Sequence, residues 1–527
     1  MLTWKNVVLS FLLPTMFFFT SNVGAQDQVV KQPQKLPTIS LMQAVRTAIV
    51  KQPSVLQQQE AIIASEASLL SARGEFDPNL NTELYHQNYE NYLWDGREGK
   101  NQTQNISSVI LGLTKKTRTG ITLGPQVEID RIHYINASEV GMVVPDAKFN
   151  QATVKLTINI PLLKGGGRDA AGANEMAAMA NLEASKLGLQ HTVSQVVRDA
   201  GVAYYNYLAA KQRLDTLKQI EKSAQETLTD TQLLVKGDEK SAADLNTIEA
   251  SLADKISSRI SAEQDLYVAM QNLGLAMGLE IEDIDRLPLP GDEFPSPDNK
   301  TFNVARIDVK QLFQTAENRR ADLQAIDKTT DAATYLLTAA KKNELPQLDI
   351  NADIGYQGWQ DGDSVSEMFQ SLSNEVPGAS YSGSIKFSYP LGNNAAKGDI
   401  LKYRSQLSST KIQQLDLKRN INSGIMVAVR ALKNSIKEIQ ESDKSIKNYK
   451  ISLENQQLSF KMGMSNMLDV VNMRDYLQNA RLSKIDKLVA YAQALINLGY
   501  QTGVLVIQEG EAFRIDLTQS ANFIFNP

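Results

Sequence analysis

Apolar residues recur along this chain with two different periods, and the two follow each other in a fixed order. Val154, Leu156, Ile158 and Ile160 alternate strictly with polar residues, which predicts a strand with one apolar face. Pro161-Leu162 and Gly165-Gly166-Gly167 end it, and no further proline occurs until Pro288. From Arg168 to Lys236 the chain is rich in Ala, Leu, Gln, Glu and Lys, all good helix formers. A heptad seam counted from Leu182 to Val235 has thirteen of sixteen positions apolar, Ala included; Lys186, Glu221 and Thr231 are the exceptions. The pattern predicts one long helix over 168–236, roughly 100 Å at 1.5 Å per residue, and a return helix over 241–278. A helix of that length is far outside the ordinary globular range.

The same order occurs a second time. Ile385, Phe387 and Tyr389 alternate with Lys386 and Ser388 ahead of Pro390-Leu391, and a second proline-free run begins at Asn394. It predicts a long helix over 395–461 and a return helix over 466–501. Other landmarks pair as well: Pro78-Asn79-Leu80 with Pro346-Gln347-Leu348, and Gly237 with Gly463. This is an internal duplication, with a first repeat over 40–283, a Pro-rich linker over 284–306, a second repeat over 307–505 and a tail over 506–527. Each repeat opens with a helix. The first begins at Ser40-Leu41-Met42-Gln43, a capping-box pattern, and carries Pro53 as a kink or break. The second, over 308–342, has Ala321 at the equivalent place. A return helix stacked on such a helix matches the length of one long helix, which predicts a two-layer strut crossed at its waist by the linker.

Strands are expected at about 80–160 and 347–389. Leu348, Ile350, Ala352, Ile354 and Tyr356 alternate with polar residues or glycine over a length that suits a tilted membrane strand. Tyr356, Trp359, Tyr381 and Tyr389 lie near strand ends, as do Tyr85, Tyr89, Tyr92 and Trp94, and together they form a candidate aromatic girdle. A soluble sheet with one buried face has the same alternation. The first repeat holds two more amphipathic stretches, 106–114 and 119–132, joined by the tight turn 115–118. They are either two added strands or a hairpin outside the membrane, so the count stands at four or six per protomer.

Charge and composition remove several functions. A formal charge of −5 leaves no basic footprint for nucleic acid. Cysteine is absent, and the three histidines are scattered, so no metal motif is legible. No nucleophile–base pairing or phosphate-binding loop is present either, and the chain reads as a non-enzyme without cofactor. Residues 1–25 read as a signal peptide and 26–39 as an extended arm. No later run of 18 apolar residues exists, so a membrane crossing requires strands closed into a barrel. Four or six strands do not close a barrel, but three copies do.

The chain resembles the TolC family of outer-membrane efflux and secretion conduits. The residues that carry the likeness are Ser40-Leu41-Met42-Gln43-Ala44, Phe76-Asp77-Pro78-Asn79-Leu80, Ile160-Pro161-Leu162, Phe460-Lys461-Met462-Gly463 and Leu468-Asp469-Val470-Val471. The resemblance implies a mostly α homotrimer whose helices form a tunnel through the periplasm of a Gram-negative cell. Its strands would pool into one barrel in outer-membrane lipid. It further implies docking of a periplasmic adaptor and an inner-membrane transporter, with export of small toxic molecules. Type I protein secretion on the same fold is the alternative, and a periplasmic coiled-coil tether is a third reading. The helical tips at Gly237, Ser241, Phe460, Gly463 and Ser465 are then the docking region. Asp244, Asp469 and Asn472 fall where the family rings its periplasmic aperture, with Ser465 in place of an arginine found in some relatives. The same aspartates, with Ser241 and Asn466, also fit helix N-capping.

Overall fold

A computed structural model describes residues 37–94, 99–135, 138–139, 142–143, 147–237, 242–297, 307–509 and 512–515. The expected signal peptide lies outside them. The first repeat runs β1 (Thr38–Ile39), α1 (Leu41–Lys51), α2 (Pro53–Gly74), β2 (Asn79–Trp94), β3 (Gly99–Lys116), β4 (Thr122–Ile135), the short β5 (Ser138–Glu139) and β6 (Met142–Val143), and β7 (Ala147–Pro161). It continues through α3 (Arg168–Ala171), α4 (Ala173–Lys236), α5 (Ala242–Ala276), α6 (Ile281–Ile284) and β8 (Leu289–Pro290). The second repeat comprises α7 (Val309–Arg319), α8 (Ala321–Asn343), β9 (Gln347–Asp361), α9 (Val365–Gln370), β10 (Ala379–Ser388), α10 (Asn394–Lys461) and α11 (Met467–Thr502). A final hairpin, β11 (Val506–Glu509) with β12 (Ala512–Ile515), lies within the expected tail. Among the described residues no helix is long and apolar enough to cross a membrane.

Six strands form one antiparallel sheet in the order β10-β9-β7-β4-β3-β2, so the two stretches left open above are strands of that sheet. Registers place Thr82, Leu111, Val127, Val154, Tyr356 and Ala379 in one row across all six strands. The neighbouring row is Asn81, Gly112, Gln126, Lys155, Gly355 and Ser380. One face is therefore mainly apolar and the other mainly polar, as the two-residue period of a strand requires. Cross-strand ladders line the polar face. Thr157 Oγ1 donates to Asp353 at 2.7 Å, and Asn159 Nδ2 donates to Asn351 Oδ1 at 2.7 Å.

Below the sheet the helices stand as four columns. Two are the unbroken α4 and α10 of 64 and 68 residues; the expected start at 168 belongs to α3, which Gly172 separates from α4. The other two columns are spliced. α5 ends against the break between α1 and α2, and α11 ends against the break between α7 and α8. At the first splice Gln52 Nε2 donates to the carbonyls of Leu275 and Ala276, both at 3.4 Å. At the second, Arg320 Nη1 donates to the Tyr500 carbonyl at 3.3 Å. Each return helix is thus capped by the side chain at the break of the next helix, which satisfies carbonyls a helix end leaves open. Gly278 and Gly503 take left-handed φ of 68° and 73° at these joints. A Cβ on Gly278 would lie 2.6 Å from the Lys51 carbonyl oxygen, so only glycine fits that joint.

The waist carries the main core, where Tyr204, Tyr207, Leu208, Val45, Leu273, Ile496 and Leu505 are buried together. The chain between the repeats crosses here: β8 pairs parallel with β1. Asp292 accepts from Leu41 N at 2.6 Å and from Tyr204 Oη at 2.9 Å.

Lateral order is the same at every level. In the upper half it runs α2–α4–α8–α10, in the lower half α5–α4–α11–α10, and in the sheet β2 through to β10. One flank of the protomer is therefore β2, α2 and α5; the other is β10 and α10. Both flanks are apolar and bare. Leu56, Ile63 and Leu70, seven residues apart on α2, are exposed, as are Ile260 and Tyr267 on α5 and Leu401, Ile412, Leu415 and Val427 on α10. Every residue of β10 is exposed.

Candidate functional site

At the second tip α10 reverses into α11 through a Schellman turn. Met464 N donates to the Ser459 carbonyl at 2.9 Å and Gly463 N to the Phe460 carbonyl at 3.0 Å, with Gly463 at φ 71°. Gly237 differs. It closes α4 at φ −86°, so its lack of a Cβ is not required by a left-handed turn. Ser241 lies outside the described residues, as does the side chain of Asp244. Phe460 and Ser465 are half-buried, whereas Met462, Met464 and Leu468 are exposed around the second turn. A cavity of about 170 Å³ lies between the tips, lined by Thr231, Leu234, Ile248, Asn466, Met467 and Leu468 among others. Met462, Met464 and Leu468 give this turn an apolar surface open to water. Gly463 marks the turn in the sequence, but the exposure of Met462 and Met464 around it is set by the fold.

Asp469 sits at the third position of α11 in a capping box with Asn466. Asp469 N donates to Asn466 Oδ1 at 2.8 Å, and Asn466 N reaches Asp469 Oδ2 at 3.5 Å. Ser465 Oγ is 3.4 Å from the same carboxylate oxygen. The carboxylate thus serves the helix start, yet it stays exposed, as does Asn472 one turn on.

Above the tip, α11 is pinned to the first repeat by pairs that no motif announces. Arg474 Nη1 donates to Thr227 Oγ1 at 2.6 Å and to the Ser223 carbonyl at 3.2 Å. Lys255 Nζ is 2.9 Å from Asp475 Oδ2. These partners lie more than 200 residues apart in sequence, so periodicity carries no trace of them. Thr227, Lys255, Arg474 and Asp475 line a small cavity between α4, α5 and α11, with Val471 and Gln478.

The second splice gathers Arg320, Asp322, His191 and Arg198 around Tyr500. Arg320 is buried and grips Asp322 with two hydrogen bonds of 2.9 and 2.6 Å. Its guanidinium also lies 4.8 Å from the Tyr500 ring centre, with Arg198 at 4.4 Å from that ring. Burial works against the Asp322 charge, but the paired guanidinium more than offsets it and holds the carboxyl below its usual range. His191, 3.7 Å from Asp322, is pushed below its ordinary value, mainly by burial, with Arg320 and Arg198 adding to the push.

The eight girdle candidates divide between the faces. Tyr356 and Tyr381 share the apolar face with Val154 and Ile354, and Tyr389 follows β10 on the parity of Phe387. Tyr85 and Trp359 belong to one polar-face row, through Ser108, Asp130 and Gln151, and Tyr89 opposes Gln104 on the same face. The side chains of Tyr92 and Trp94 lie outside the described residues. Trp359 instead extends an aromatic ladder: Tyr134 stacks on Phe149 at 5.9 Å, and Phe149 meets Trp359 in a tilted contact at 5.3 Å.

A family model described as outer membrane efflux protein matches residues 119–279 and 312–504. Among solved structures, the chain is similar to the CmeC outer membrane channel of Campylobacter jejuni. Identity is 13%, over 97% of this chain and 98% of that one, with a TM-score of 0.61. For VceC of Vibrio cholerae the identity is 13%, over 88% and 96%, with a TM-score of 0.60. The MtrE channel of Neisseria gonorrhoeae, solved in an open state, matches at 13% over 92% and 98%, with a TM-score of 0.58. Likeness at this identity establishes the shared fold. No match was found among curated protein sequences.

Proposed function

The chain belongs to the outer membrane efflux protein family, and from that premise we propose that three copies form a passive duct for small toxic molecules. The observation that carries this reading is the pair of bare flanks, apolar in the helices and unpaired in the strands, running the whole length of the protomer. Lipid offers no hydrogen bonds to an open sheet edge, so β10 of one copy needs β2 of the next. The same rotation brings α10 against α2 and α5. With the apolar face turned to lipid, Tyr356, Tyr381 and Tyr389 stand where an interfacial girdle belongs. The polar face then lines the exit. No reacting group is needed, because the energy comes from an inner-membrane transporter reached through a periplasmic adaptor.

The adaptor docks at the tips. Valine in place of Gly463 must adopt the left-handed conformation, at a local cost of about 1–2 kcal/mol, and it adds a branched side chain between the exposed Met462 and Met464. The barrel is remote from this turn. Cells carrying Gly463→Val are expected to hold normal amounts of trimer and to lose resistance to toxic compounds. Normal resistance at normal abundance removes the docking assignment.

The pins of α11 hold the periplasmic end narrow, and three copies of Asp469 near the axis attract cations there. In planar bilayers, Arg474→Ala and Asp475→Ala are expected to raise single-channel conductance several-fold. Asp469→Asn keeps an oxygen for the capping bond and loses the charge, so it is expected to lower cation selectivity with thermal stability nearly unchanged; the local cost of the lost charge is about 0.3–1 kcal/mol. Wild-type conductance in both pin variants defeats the closure role. Unchanged selectivity leaves Asp469 as a capping residue alone.

A further inference from the structure

We propose that the exit barrel of the trimer has eighteen strands, with the β3–β4 hairpin forming part of its lipid-facing wall in every protomer. The proposal rests on the trimeric duct above and adds to it the bore of the exit. Three observations carry it. The hairpin sits between β2 and β7, and β2 has no pairing with β7 that would survive its removal. Its residues keep the two faces of the sheet without a slip. Val109 is level with Leu84 and Ile129 on the apolar face, and Ile110 is level with Glu83 and Glu128 on the polar one. A hairpin projecting into water has no reason to continue an apolar row begun by its neighbours.

The lower end of the hairpin is also tied at the level where the other strands meet helices. Gly167 N donates to the Thr119 carbonyl at 2.9 Å. Arg118 Nη2 donates to Glu175 Oε1 at 2.8 Å, and its guanidinium lies 5.2 Å from the Phe76 ring centre. Lys116 Nζ meets Glu75 Oε1 at 2.6 Å. The turn is therefore clamped between the end of α2 and the start of α4, and β3 and β4 span the same height as β2 and β7.

The ring sizes then agree. Twelve helices about 9 Å apart, four from each copy, make a circumference of about 110 Å. Eighteen strands about 4.8 Å apart and tilted about 40° also make about 110 Å, whereas twelve make only about 75 Å. The sheet can follow the helical tunnel without narrowing. The barrel measures roughly 36 Å between opposite backbones, in the range where a lumen is water-filled. Cargo bulk is consequently limited at the periplasmic tips and not at the exit.

The absence of cysteine allows a direct test with single-cysteine variants in outer membranes. Val109→Cys and Val127→Cys are expected to react with a water-soluble maleimide roughly tenfold or more slowly than Ile110→Cys and Gln126→Cys, as lipid- and lumen-facing rows should. Ile158→Cys and Thr157→Cys in β7 provide the reference pair. If both hairpin rows react rapidly while Ile158→Cys stays protected, the hairpin is outside the wall and the eighteen-strand barrel is wrong, with the duct intact. If Ile158→Cys also reacts rapidly, the sheet is not in lipid, and the duct and this proposal fall together.

Discussion

Arg320→Ala is expected to be among the most damaging single changes in the helical body, at about 3–5 kcal/mol per copy. The guanidinium is buried, and from the break before α8 it reaches both the carboxylate of Asp322 and the Tyr500 carbonyl near the end of α11. Its loss leaves a carboxylate without its counter-charge and a helix end without its cap. Thermal dissociation of the detergent-solubilised trimer measures the effect. A variant melting with the wild type would show that the splice does not depend on this side chain. Arg320→Met combined with Asp322→Leu is expected to recover much of the loss, because removing both charges avoids the unpaired one.

The same cluster makes the waist acid-sensitive. The Asp322 pKa is depressed in the fold, so its contribution is complete above the ordinary carboxylate range and is lost as pH falls through the depressed value. His191 is also depressed: it is held neutral, and its contribution fades as pH drops below the ordinary histidine value of about 6.5. Melting temperature is therefore expected to fall between pH 7 and 5, and to fall less in His191→Gln. An identical slope in that variant would assign the acid sensitivity elsewhere.

The second large effect concerns the faces of the sheet. Leu156 lies in the middle of the apolar face of β7, and Thr157 is the next residue, on the polar face. Leu156→Arg is expected to cost about 2–4 kcal/mol per copy in lipid, three times over in the trimer, and to abolish assembly in the outer membrane. Thr157→Arg is expected to assemble, since the polar face lines the proposed exit and Asp353, the present partner of Thr157, lies beside it. Both variants assembling equally would mean that the apolar face does not meet lipid. Recovery from outer-membrane fractions as a heat-dissociable trimer is the readout.

How much of this was legible beforehand differs element by element. Parity along β2 and β9 was visible, and it already placed Tyr85 with Glu83 and Trp359 with Asp353. Assigning all eight aromatic residues to one girdle by nearness to strand ends overlooked that parity. The breaks in the two short helices tell the same story in reverse. Pro53 announces the first, but nothing local announces the second, where Arg320 ends α7 without a proline. The end of α11 is what places it, through Gly503 and the Tyr500 carbonyl.

The sequence by itself determined the duplication, the two long helices, the alternating strands and the family, because each is written in local periods and in the order of segments. Only the tertiary structure decided that the β3–β4 hairpin enters the sheet, that the two tips close differently at Gly237 and Gly463, and that Arg474 and Lys255 pin α11. Periodicity specifies which face of an element is apolar. It does not specify which other element, two hundred residues away, will cover that face or meet its charges, and that choice belongs to the packing of the whole chain.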